Sequence, residues 1–330
     1  MDILLKNKVD NLLQNYETIY SHHKWTSKLI VEFAALIYTL KKKDFNDDDF
    51  EELQKYIKDN TGAFSSYRSY HLFIISTLLL TSVNDPKSAF KDLISLEDKM
   101  KQQGFKKNNY SSIAAFSILT SSEIGDWNGR ISKSYTLYES MKSNHFWLTG
   151  YSDYPMAALL SASDKDTRTL TTEMEECYSR LVAEGFSKSD GLQLLSHMLV
   201  LSPKSTEEKV TTCVKLHRYF KEEGIKIYSN CYEMFGFLCL LEDYAEESAT
   251  KVVELYNHLK SVKAFKWSGK EINLMFSISL ISEDYIDKLK NGEIVGTTFS
   301  TSIETLIAAQ NAAIAGTVAA SAAAASSSSS

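Results

Sequence analysis

The chain has 330 residues, 44% hydrophobic and 24% charged, with a formal charge of −6 and a sequence pI near 5.7. This composition excludes a disordered or fibrous chain. The acidic sum gives no overall attraction to phosphate, so nucleic acid and anionic membrane are poor first guesses as partners.

The N-terminus, MDILLKNKVDNLLQNYETIY, mixes charge and apolar groups at helical spacing and lacks the apolar core of a secretory signal, which reads as a capping helix over residues 1–24. From residue 25 the chain settles into a repeat. The apolar residue before each helix stop is Ile57, Met100, Met141, Leu181, Phe220 and Leu259, at intervals of 43, 41, 40, 39 and 39. One turn earlier the same register gives Leu53, Leu96, Leu137, Cys177, Leu216 and Leu255, and three residues before those it gives Phe50, Leu93, Ser134, Met174, Cys213 and Val252. Three columns of one buried stripe recur together, which is the pattern of an amphipathic outer helix.

Between these helices runs a more apolar set with a small residue at a fixed place: Ala35, Ser76, Ala115, Ala158, Ser196, Gly236 and Ser277. Small side chains let helix backbones approach closely, as the inner member of a stacked hairpin requires. Gly62, Gly104, Gly185 and Gly224 follow the outer helices, where a left-handed residue ends a helix at little cost. Pro86, Pro155 and Pro203 stand behind capping residues, as at helix starts. The expected fold is all-α, an α-solenoid of about seven helical hairpins over residues 25–290 with a period near 40. A compact all-α bundle is the alternative.

The acidic run NDDDFEE at 46–52 opens an outer helix, where Asn46 or Asp47 caps and the carboxylates complement the dipole; it lacks the ligand spacing of a calcium loop. Cys177, Cys213, Cys231 and Cys239 form no CxxC pair and read as reduced thiols, with Cys231, at a helix start, the one to test for reactivity. His197 shares a column with Leu36, Thr77 and Phe116 and reads as a buried imidazole; His217 falls in a ring-packing column, and the adjacent His22 and His23 point to different sides. No nucleophile elbow, phosphate loop, dinucleotide fingerprint or HExxH is present, so no catalytic residue, metal or cofactor is expected. Trp25 and Trp267 are read as seals for the two ends of the array.

Past residue 290 the chain changes to a linker with Gly292 and Gly296, an Ala-rich helix starting near Ser300 to Glu304, and a serine tail, together the third region, 291–330. The first reading of this region is a capping helix followed by a disordered end. The alternative is that Ile303, Leu306, Ile307, Ile314 and Val318 make an apolar stripe for a partner or for the protein's own groove. With Ile303, Leu306 and Ile307, the residues Arg68, Tyr70, His145, Trp147 and Tyr151 form the candidate interaction surface, because Trp, Tyr and Arg anchor interfaces; the alternative is that the aromatics at these turns pack between hairpins.

The stretches TGAFSSYRS at 61–69, DYPMAALLS at 153–161, GLQLLSHML at 191–199 and TSIETLIAAQNAAI at 301–314 resemble the bacterial family numbered 4003 among domains of unknown function. The resemblance implies a bacterial cytoplasmic protein with a native Ala-rich tail and brings no activity. Three functions are weighed. The first is a scaffold for another protein or a peptide, without catalysis. The second is an enzyme or small-molecule sensor with a pocket built from several repeats around groups such as His197 or Arg68. The third is an RNA binder, which the acidic charge disfavours.

Overall fold

The computed structural model describes residues 3–63, 65–122, 124–285, 303 and 305–313. Within them the chain is all-α with no strand. Helices follow in pairs: α1 Ile3–His22 with α2 Lys28–Leu40, α3 Asp47–Asp59 with α4 Ser69–Ser82, α5 Pro86–Gln103 with α6 Asn109–Ser121, and α7 Trp127–Asn144 with α8 Tyr154–Leu160. The series continues with α9 Thr167–Ala183 and α10 Asp190–Leu199, α11 Thr206–Glu222 and α12 Tyr232–Leu240, and α13 Ala245–Leu259 and α14 Lys270–Glu283. Residues 305–313 are also helical.

The odd-numbered helices are amphipathic and lie outside. Their three predicted columns are buried throughout, from Phe50, Leu53 and Ile57 in α3 to Val252, Leu255 and Leu259 in α13. Capping follows local chemistry: Asn46, Asp85, Asp166 and Ser205 each accept from a first-turn amide of the helix they open. Pro86 begins α5 as expected, whereas Pro203 stands in the turn before α11, which Ser205 caps. Gly104, Gly185 and Gly224 are left-handed; Gly62 is not, and Gly269 is.

The even-numbered helices are buried on every side. Ile30 to Leu40 in α2 and Ile272 to Ser282 in α14 are continuous buried runs, possible only for a helix enclosed by other elements. The small-residue column sits where inner helices meet: a Cβ on Gly236 of α12 would lie 2.9 Å from the Met198 Cβ of α10. At the start of α10, a Cβ on Gly191 would stand 1.8 Å from the Ser229 carbonyl oxygen, an approach open only to glycine.

The array does not stay open. Inner-helix starts are linked in succession: His23 packs on Phe73, Asn109 donates to Tyr70 Oη (2.7 Å), the Lys106 amide to Tyr154 Oη (3.2 Å), and Gln193 to Thr149 Oγ1 (2.8 Å). Gly191 then abuts Ser229, and the Cys231 thiol points to the Glu271 carbonyl (3.8 Å). The last hairpin meets the first: Lys28 Nζ donates to the Ala264 carbonyl (2.7 Å), Ser268 Oγ to Glu32 Oε1 (2.6 Å), and Phe33 packs edge-on against Phe276. At the opposite end Lys8 donates to the Leu280 carbonyl (2.8 Å) and pairs with Glu283. Seven hairpins therefore close into a ring with α2 beside α14. Trp25 and Trp267, expected as seals for free ends, flank this seam and are exposed instead, because the seam is made by the residues around them.

Seven helices spaced about 9.5 Å apart place their axes about 11 Å from the ring's centre, slightly more than one central helix needs for packing. Residues 305–313 take that place. Leu306, Ile307, Ala308 and Ala312 are buried, as is Ile303 at 2% exposure, while Gln310 is half-buried and Ala313 exposed. The predicted stripe members Ile314 and Val318, and the Gly292 to Gly296 linker, lie outside the described residues.

Candidate functional site

The excess of seven helices over the space one can fill leaves a cavity of about 420 Å³ at the end where the inner helices begin. It is lined by Tyr110 of α6, Ser152 before α8, Asp190 and Leu194 of α10, Asn230 and Glu233 around the start of α12, and Ala309 and Gln310 of the central segment. A segment that meets four successive inner helices on one cavity must lie on the ring's inner side.

Two carboxyls behind this mouth are buried. Glu233 is 5% exposed, and burial, with the nearby Asp153 charge adding to it, pushes its pKa up to about 7, while the Gln310 amide, donating to Oε2 at 2.7 Å, pulls the other way. Asp153 is 4% exposed and is likewise pushed up to about 7 by burial and by Asp190, against a stabilising bond from the Gly150 amide to Oδ2 (2.8 Å). Both groups change charge near neutrality, so the mouth can hold or release protons there, or receive a cation. Tyr110 feels both carboxylates, which add to the effect of burial in raising its hydroxyl's pKa.

Register explains how these groups come together. Three residues before the small column stand Glu32, Ser112, Gln193 and Glu233, in α2, α6, α10 and α12, all buried, whereas the other inner helices carry Phe73, Pro155 and Leu274 there. The sequence signal for them is a polar residue recurring at a position predicted for the core, a register pattern that no local motif contains. Glu32 keeps one oxygen, Oε2, without a partner, and burial raises its pKa.

The sequence candidates scatter. Arg68 donates through Nη2 to the carbonyls of Lys58, Thr61 and Gly62, capping the end of α3, and Tyr70 is tied to Asn109. His145 pairs with Glu175 (3.0 Å) and packs on Tyr178. Trp147 and Tyr151 are exposed at 91% and 50%, while Ile303, Leu306 and Ile307 turn inward. His197 is buried as expected, and burial lowers its pKa to about 3, so it stays neutral at neutral pH and is a poor proton acceptor; His71 behaves the same way. His22 and His23, read as diverging, converge on one Asp47 carboxylate at 2.9 and 2.8 Å. Cys231, the thiol singled out for reactivity, is fully buried and pushed up to about 12 by burial, which leaves no thiolate to react. No cluster of metal-ligating side chains occurs among the described residues, and none of their helices is long and apolar enough to cross a membrane.

The model of a family described as "Protein of unknown function (DUF4003)" matches residues 15–312. The chain is also similar to the uncharacterized protein YeaA of Bacillus subtilis (strain 168), with 30% identity over 314 residues, 94% of this chain and 93% of that protein. No solved structure matches it.

Proposed function

The chain belongs to DUF4003, a bacterial family of unknown function, and from that premise we propose that it is a cytoplasmic, non-catalytic ring that binds a helical peptide or protein segment in its centre. The observation that carries this reading is the burial of Ile303 and of residues 305–309, 311 and 312: the ring accepts a small-residue helix, and the chain's own segment holds the place that a partner would take by displacement. Intramolecular occupancy makes the competitor effectively concentrated, so an external segment must bind better or be helped by opening of the mouth.

The test compares the full chain with one ending at Gly296, each titrated with a labelled peptide of residues 300–318. The shortened ring is expected to bind the peptide and the full chain to bind it at least about tenfold more weakly. A shortened ring that keeps its helical circular dichroism yet ignores the peptide would remove the proposal. If shortening unfolds the ring, a full chain with Leu306→Asp serves instead, and is expected to take up wild-type peptide.

A second reading rests on the mouth cavity: the carboxyls of Glu233 and Asp190 line about 420 Å³ of space, with Asp153 buried behind them, and suit a small cationic ligand. Thermal-shift screening of amines at pH 8 tests it, with stabilisation expected in the wild type and lost in Glu233→Gln.

A further inference from the structure

The two ends of the ring differ in charge, and the whole-chain sum conceals it. The seven connections leading from an outer to an inner helix (23–27, 60–68, 104–108, 145–153, 184–189, 223–231 and 260–269) hold nine Lys or Arg and three Asp or Glu, one of which is the buried Asp153. The six connections at the other end hold five and eight. Eight of the nine cations on the first end are exposed lysines. An inner helix of 13 residues is about 20 Å long, more than two screening lengths of about 8 Å in physiological salt, so a surface approaching the basic end does not feel the acidic one.

The same end carries the exposed aromatic side chains. Tyr20, Trp25, Phe146, Trp147, Tyr151 and Trp267 all lie in these connections or in the last turn leading into one; among the described residues the other large exposed apolar side chains, Ile3 and Leu4, belong to α1's start. Trp25 is fully exposed, Trp267 is 80% exposed, and Lys266 and Lys142 lie over the rings of Trp267 and Phe146. The placement is two-sided. Trp25 and Trp267 flank the seam of the first and seventh hairpins, while Phe146, Trp147 and Tyr151 project from the fourth, across the ring.

We propose that this end docks flat on an anionic lipid bilayer, the lysines facing lipid headgroups and the two aromatic groups entering the interface on opposite sides of the mouth. Trp and Tyr favour the headgroup region, and each lysine near an anionic surface adds attraction. Charge complementarity alone would also suit a polynucleotide. The layout favours lipid: the aromatics do not line a groove in which successive bases could stack, and a strand crossing the centre would meet the carboxyls of Asp190 and Glu233, which line the cavity. A plane resting on the rim avoids them. No spanning helix is needed for such contact.

Three of the four tryptophans report on this face, the fourth, Trp127, being buried. The full chain is mixed with vesicles of phosphatidylcholine alone or with added phosphatidylglycerol, and followed by tryptophan emission and co-sedimentation. The expected result is a blue shift and binding with the anionic vesicles only, weakened by salt. Lys263→Glu with Lys266→Glu is expected to reduce partitioning roughly tenfold or more. Trp25→Ala with Trp267→Ala, and separately Phe146→Ala with Trp147→Ala, should each weaken it while leaving the thermal melt unchanged, since these side chains are exposed. Absence of binding to anionic vesicles overturns the proposal. So does binding that survives both aromatic pairs, or salt-sensitive capture of single-stranded RNA by the same lysines without vesicle binding.

Discussion

The outer and inner helices are built from the same chain and answer to different rules. An outer helix such as α9 buries one stripe and offers water the rest, so most of its positions tolerate change and its ends are held by local caps. An inner helix such as α10 or α12 touches neighbours all round, and its tolerance is set by backbone approach and by the cost of each buried polar atom. The difference locates chemistry as well as stability: the carboxyls whose pKa values lie near neutrality belong to the inner layer and the connections into it.

Glycine substitution sharpens the contrast most. Gly191→Ala forces a Cβ into the Ser229 carbonyl between α10 and α12 and is expected to cost about 3 kcal/mol in urea unfolding. Gly185→Ala, at the end of outer α9, meets no neighbour and suffers only its left-handed backbone, about 1 kcal/mol. Equal costs would break the distinction between layers.

The next largest effect is one of pH. Glu233 has its folded pKa raised to about 7, so between its unfolded value, about 4, and about 7 the folded state binds more protons. Its contribution is greatest at the acid side and is lost as pH rises through 7. Glu233→Gln is therefore expected to raise stability by about 3 kcal/mol at pH 8 relative to wild type and to change little at pH 4. A variant less stable at pH 8 would show that the ionised carboxylate is favoured at the mouth. On the outer layer, Asn46→Ala removes the acceptor for the Asp49 amide and is expected to cost about 1 kcal/mol at any pH between 5 and 8, read from the urea midpoint.

The same contrast explains what the sequence made legible. Outer columns such as Leu53, Leu96 and Leu137 are readable because amphipathic spacing is written locally, and the small inner column because backbone approach needs small residues at a fixed register. Closure of the ring depends on a small rotation accumulated over seven hairpins and on contacts such as Lys28 with Ala264, 236 positions apart, which no local pattern contains. The mouth was half legible: Glu233 and Gln193 stand out as polar at core positions, but only the central segment's arrival gives Glu233 its partner Gln310. The end-to-end charge difference is also present in the sequence, concealed in the whole-chain charge of −6 because the two ends partly offset each other.

Whether the array is a closed ring is read at the seam between the first and seventh hairpins. Spin labels at Lys24→Cys and Lys263→Cys, both exposed, flank it, and the four native thiols are buried. Pulsed electron resonance is predicted to give one short, narrow distance distribution, because α2 and α14 are neighbours. A long or broad distribution, with the two hairpins a full array apart, would contradict the ring.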